Sequence, residues 1–120
     1  MDFSQLITAA DLLAWWEAHP TKSARRANAC HCIVTQPVVD TLKHAATYCP
    51  GESHVHLWPL GTRPNDMYTG SPFLVRKIPV ENPLVSDVAR AFDLRGDFDA
   101  LVSGKRCAKE IKATIANSIK

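Results

Sequence analysis

Apolar positions change their spacing several times along this chain, and each change predicts an element. Leu12, Leu13, Trp15 and Trp16 recur at helical intervals and stop at His19-Pro20, which predicts a first helix ended by proline. Thr8-Ala9-Ala10-Asp11 reads as a capping box with Asp in place of the usual Glu or Gln, and Ile7 and Leu12 sit at the positions of a hydrophobic staple. Successive residues on a helix project about 100° apart, so one of the two tryptophans is expected at the core edge or on a surface that meets a partner.

Lys22-Ser23-Ala24-Arg25-Arg26 reads as a short basic connector with helical character, and residues 30–34, ending in two β-branched side chains, as a short strand. Thr35-Gln36-Pro37 opens a second helix whose apolar stripe is Val38, Leu42, Ala45 and Cys49, ended by Pro50-Gly51. Residues 54–58 alternate, with His54, His56 and Trp58 on one face and Val55 and Leu57 on the other. Residues 73–78 predict a second strand, with Pro79 marking an edge or a strand end. The connection of about 14 residues between these strands is dense in turn residues and longer than a hairpin loop, which makes it a candidate functional loop.

Beyond Asn82-Pro83, Leu84, Val88 and Ala91 or Phe92 predict a helix, and Asp97 to Val102 a short one. Ser103-Gly104 breaks the chain before a last helix carrying Ala108, Ile111, Ile115 and Ile119, with Lys105, Lys109 and Lys112 on a different face. The pattern as a whole predicts one α+β domain over 1–120. A small, mostly antiparallel sheet of two or three strands (55–58, 73–78 and a third at 30–34) packs against three or four helices. The first, second and last helices are expected to supply most of the core.

Composition agrees with this reading. The chain of 120 residues is 46% apolar and 22% charged, ordinary for one globular domain. Its formal charge of +2 is too small to imply nucleic acid or membrane from net charge alone. No apolar run approaches the roughly 18 residues of a membrane span, and Met-Asp-Phe-Ser lacks the basic flank of a secretory signal. A cytoplasmic protein with reduced thiols and no membrane partner is therefore expected.

The candidate chemistry lies mid-chain. Cys30, Cys32 and Cys49 with His54 and His56 are ligand types zinc prefers, and His54-x-His56 on a strand would present both imidazoles to one face. The spacing matches no standard zinc motif, and Cys49 falls on the predicted apolar stripe, so packing of these groups competes with a zinc site. The face of His54, His56 and Trp58 can equally stack a base or hold phosphate, or pack beneath a helix. No GxSxG, GxxxxGK[ST], HExxH or GxGxxG motif is present; a Cys–His nucleophile pair needs contacts that sequence does not show, and a small hydrolase or transferase using His54 and His56 is a third reading.

Charge is distributed unevenly. Residues 81–99 hold five acidic and two basic side chains, net −3, and residues 104–120 hold five basic and one acidic, net +4. Either these neighbouring segments complement one another, or the basic helix meets an acidic partner. The segment Ser86 to Leu94 resembles the first helix of a helix-turn-helix, which would imply a recognition helix after it. That helix would carry Asp97 and Asp99, which phosphates repel, so an ordinary helix pair is expected there.

The expectation for function is a non-enzymatic binding module without a cofactor, such as the small regulators and inhibitors that phages and other mobile elements encode. It would act by occupying a surface of a macromolecular partner, protein rather than nucleic acid. Trp15, Arg25, Arg26, Arg63, Lys105, Arg106, Lys109 and Lys112 are the candidate contacts, tryptophan and arginine being enriched among residues that carry interface energy. The alternative is a zinc-stabilised nucleic-acid binder using the cysteines and histidines with the basic helix.

Overall fold

The first helix forms where the pattern places it. In the computed structural model, which describes residues 2–68 and 73–118, α1 spans Ala9–Ala18 and the Thr8 hydroxyl accepts the Asp11 N–H at 3.1 Å. A second donor at this terminus, the Ala9 N–H, is met at 3.0 Å by the Glu81 carboxylate from far along the chain. Both tryptophans are buried. Trp16 donates its indole N–H to the Ile33 carbonyl at 2.9 Å, while Trp15 meets Trp16 edge-on at 4.9 Å and stacks on His19 at 4.0 Å. Trp15 is only 4% exposed, so it belongs to the core and is not the surface anchor expected of it.

The chain continues through β1 (Ser23–Arg25), α2 (Thr35–Leu42), β2 (Ala45–Thr47), β3 (His54–Trp58), α3 (Pro64–Tyr68), β4 (Arg76–Pro79), α4 (Leu84–Leu94), β5 (Leu101–Ser103) and α5 (Gly104–Ser118). These elements build one α+β domain with two small antiparallel sheets, β2-β3-β4 and the pair β1-β5. The expected pairing of the two mid-chain strands is present, with His54 opposite Pro79 and Leu57 opposite Arg76. Pro79 ends an edge strand, where a missing N–H costs no ladder bond.

Several elements differ from the sequence pattern, each for an identifiable reason. Residues 30–34 form turns instead of a strand, because the Asn28 side chain accepts the Cys30 and His31 N–H groups, each at 3.1 Å, and Thr35 Oγ1 accepts the Cys32 N–H at 3.0 Å. The third strand of the sheet is β2. The second helix stops at Leu42, since Lys43 takes a left-handed conformation (φ 59°) and its N–H closes on the Val39 carbonyl at 3.0 Å. Ala45 then pairs with Trp58 in the sheet, and Cys49 is exposed beyond it.

The basic connector becomes β1, and the helix expected at 97–102 becomes a turn leading into β5. Ala24 and Val102 pair across 78 residues of chain and are both buried, a long-range contact that overrides local preference. The strand predicted at 73–78 begins at Arg76, leaving Phe73 and Val75 exposed. Ile119 lies outside the described residues. α4 joins α1 and α5 around the core, burying Val85, Val88, Ala89 and Phe92 at helical spacing, and α2 adds Val38 to the same cluster. A smaller cluster gathers Cys30, Trp58 and Met67.

One polar contact is buried among these helices. Arg26 at the end of β1 and Glu110 on α5 are 7% and 3% exposed and meet through two parallel bonds of 3.0 and 2.8 Å. Arg26 also donates to the Phe92 carbonyl at 2.6 Å and lies 4.7 Å over the Phe92 ring. Gly96 leaves the room this needs, since a Cβ there would come within 2.8 Å of Arg26 Nε. Glu110 is further held by Arg106 at 3.0 Å and Arg95 at 3.5 Å. Burial alone would raise the Glu110 pKa, but the bonds from Arg26 and Arg106 outweigh it and hold the carboxyl below its ordinary range.

Breaking this pair has a testable consequence. Glu110→Gln is expected to lower the free energy of unfolding by about 3–5 kcal/mol, because Arg26 stays buried without its anion. Combining Arg26→Met with Glu110→Leu should recover most of that loss, and urea denaturation at neutral pH checks both. A carboxyl whose folded pKa lies below its unfolded value, about 4.3, stabilises fully above that value and loses its contribution as pH falls through the folded one. Acid-induced loss of stability below about pH 4.3 should therefore shrink in the double variant.

Candidate functional site

The mid-chain sulfur and imidazole groups disperse on folding. Cys30 packs against Trp58 and Met67. Cys32 is buried in the main core beside the Thr35 hydroxyl (3.4 Å), and burial pushes its thiol pKa up. His54 Nδ1 contacts Ser53 Oγ at 2.7 Å, and His56 Nδ1 lies 3.5 Å from Glu52 Oε2. No disulfide joins the cysteines of the described residues. Among the described residues no three His, Cys, Asp or Glu side chains are grouped so as to hold a metal ion. The alternating face of β3 is divided: His54 and His56 are half-buried, while Trp58 is 5% exposed and joins the smaller cluster.

Cys49, Glu52 and His56 come closest to a reactive constellation. Glu52 Oε1 accepts the Cys49 N–H at 3.0 Å, and its other oxygen faces His56. Partial burial and the Glu52 charge push the Cys49 thiol up to about 11. A nucleophilic pair needs the imidazole beside the sulfur to favour thiolate, whereas here a carboxylate faces it and favours the protonated thiol.

The candidate basic residues separate into three placements. Arg25, Arg26 and Arg106 are engaged internally: Arg26 and Arg106 on Glu110, and Arg25 with Asp99 at 3.5 Å. The buried Arg26 is thus a structural residue and not the partner contact expected of it. Arg63 is exposed just before α3, away from the other cations in sequence, and its carbonyl accepts the Asp66 and Met67 N–H groups. Lys105, Lys109 and Lys112 are brought together along one groove.

That groove follows from how α5 begins. The turn after α1 caps it, with the Gly104 N–H on the Lys22 carbonyl at 2.6 Å and the Lys105 N–H on the Pro20 carbonyl at 3.3 Å. The backbones approach so closely that a Cβ at Gly104 would collide with the His19 carbonyl oxygen. α5 therefore runs beside α1, and a groove of about 380 Å³ opens between them, lined by Trp16, Glu17, Pro20, Lys105, Ala108, Lys109 and Lys112. The apolar groups are contributed by Trp16, Pro20 and Ala108, and the lysines bring positive charge. Lys112 pairs with Glu17 at 3.0 Å, while Lys105 and Lys109 have no ion-pair partner among the described residues.

The acidic segment 81–99 does not neutralise them. Glu81 caps α1, Asp87 lies 3.8 Å from Arg90, Asp93 accepts the Ala27 N–H at 2.9 Å, and Asp99 is shared by Arg25 and Asn28. Where this segment does meet the basic helix the signs are reversed, with Arg95 facing the lone acid Glu110. Sequence reasoning found the lysines from their spacing. It missed Glu110 as a hub, although Arg106 four residues before it is the pattern of a helical ion pair.

The Cys49 environment predicts low reactivity. With its pKa near 11, Cys49 should react with iodoacetamide at neutral pH about a hundredfold or more slowly than free cysteine. Glu52→Gln should raise the rate by removing the adjacent charge, and mass spectrometry of alkylated peptides measures both. In comparisons with known proteins, no family model, no curated protein and no solved structure matches this chain.

Proposed function

We propose that this protein is a non-enzymatic binding module, a small regulator or inhibitor, that uses the α1–α5 groove to hold an acidic segment of a partner protein. The observation that carries this reading is the pairing of unneutralised Lys105 and Lys109 with the apolar groups of Trp16, Pro20 and Ala108. Lys105, Lys109 and Lys112 rise along α5 by about 6 and then 4.5 Å, which suits acidic side chains one turn apart on a helix or two residues apart on a strand. The protonated state of Cys49 supports a binding role over thiol chemistry.

Magnitudes define the ligand further. Exposed lysine–carboxylate pairs contribute about 0.2–1 kcal/mol each, so two or three of them alone give at most about 3 kcal/mol, short of millimolar affinity. An aliphatic side chain seated against the exposed Pro20 ring and the edge of Ala108 adds at most about 1.5–3 kcal/mol, the value for full burial. The partner segment is therefore acidic with an apolar anchor, and simple polyanions bind more weakly.

Titration of the labelled protein with a Glu/Leu amphipathic peptide, oligoglutamate and a single-stranded oligonucleotide, followed by NMR, tests this. The Glu/Leu peptide should shift the amides of 105–112 and the Trp16 indole and bind tighter than oligoglutamate. Lys105→Glu with Lys109→Glu should weaken it at least about tenfold with an unchanged melting temperature. Equal binding by the charge-reversed protein, or no binding by the peptide at millimolar concentration, would sink the proposal. Oligonucleotide binding at these lysines in preference to the peptide would favour a nucleic-acid partner instead.

A further inference from the structure

A second surface lies at the corner where α4 ends and β5 begins. Leu94, Phe98 and Leu101 are 79%, 78% and 64% exposed, the most exposed large apolar side chains among the described residues of the last third of the chain. Both ends of this segment are tied to the same two residues. Arg26 bonds the Phe92 carbonyl and exchanges backbone bonds with Asp99 and Ala100, while the Ala27 N–H meets Asp93. The three side chains thus sit on one short segment whose ends are pinned together, and they leave on the order of 400 Å² of apolar side-chain surface exposed.

The same corner carries a free strand edge. Gly104 donates to the Lys22 carbonyl and Arg26 to the Ala100 carbonyl, which fixes the hydrogen-bonded pairs of the β1–β5 ladder. By the alternation of an antiparallel ladder, the main-chain groups of Leu101 and Ser103 then point away from β1. No described residue meets the Leu101 N–H and C=O or the Ser103 N–H. The opposite edge is closed, because the outward Arg25 N–H is taken by the His31 carbonyl at 2.8 Å.

We infer that this corner is a self-association surface, on which two copies join β5 to β5 in antiparallel fashion around a two-fold axis. The edge is self-complementary: placed beside Val102, the axis lets the Ser103 N–H of each copy donate to the Leu101 C=O of the other. The charged groups beside the edge are mostly engaged within the chain, Arg25 with Asp99, Arg95 with Glu110 and Asp93 with the Ala27 N–H, and such a border fits an identical copy better than a strongly charged partner. The apolar corner supplies about half of the roughly 800 Å² per partner that a standard stable interface buries, so the dimer is a weak one.

Sedimentation velocity over about 10 µM to about 1 mM tests this, that range spanning weak association. The mass should rise with concentration from 13.2 kDa toward twice that value. Phe98→Glu and Leu101→Glu, both at exposed positions, should each stay monomeric throughout with an unchanged melting temperature. Exchange of the Leu101 and Ser103 amides should slow with concentration in the unaltered protein and not in the variants. A monomer at the highest concentration, a dimer that survives both substitutions, or a dimer that leaves those amides unprotected would each overturn the inference.

Discussion

The Arg26–Glu110 pair is the contact on which the arrangement of the helices depends. It joins the end of β1, the end of α4 and the middle of α5 at a single buried point, with Arg95 and Arg106 closing over the carboxylate. A buried pair of this kind adds little net stability over apolar packing, because desolvating both charges offsets their attraction. Its effect is on specificity. An unpaired Arg26 or Glu110 in the core is unfavourable by several kcal/mol, which disfavours packings of α4 on α5 that separate them. Glu110 is thereby fixed inward, and the lysines on the neighbouring face of α5 are fixed outward toward α1.

The groove is the second consequence of the same geometry. α5 must begin against the turn that follows α1, where only a residue without a side chain fits, and Gly104 occupies that place. The Pro20 and Lys22 carbonyls satisfy α5 N–H groups that would otherwise need water or a capping side chain. Two helices held at this distance leave a trough beside their contact, with Trp16 anchored by Ile33 at one wall. Its lining comes from rigid elements, which lowers the ordering cost of binding compared with a loop-built site.

Much of this was legible in the sequence where the cause was local. The capped first helix, the alternation of His54–Trp58, the break at Ser103-Gly104 and the lysine face of α5 all follow from side chains acting within a few residues of one another. The misreadings arise either where a distant segment decides or where a single side chain or left-handed residue turns the backbone. Ala24 becomes a strand residue because of Val102, and Ala45 because of Trp58. The stripe from Val38 to Cys49 had helical spacing, yet Lys43 ended the helix in a left-handed turn. The sulfur-rich stretch drew attention by residue type, but Asn28 and Thr35 fold it into turns that send Cys30 and Cys32 into different clusters.

Charge separation along the chain turned out to have a different meaning from simple complementarity between neighbours. Each acid of the 81–99 segment with a recorded side-chain contact is used on the backbone or beside arginine, and none of those contacts is with a lysine of α5. This follows from geometry: α4 meets α5 through the Phe92, Arg95 and Glu110 side, whereas Lys105 and Lys109 face α1, which offers only Glu17 as an anion at the groove. Glu17 is already committed to Lys112. Exposed lysines cost a monomer little when solvated, so stability gives no reason to gather them over an apolar floor. A partner segment of the proposed kind, acidic and partly apolar, would give one.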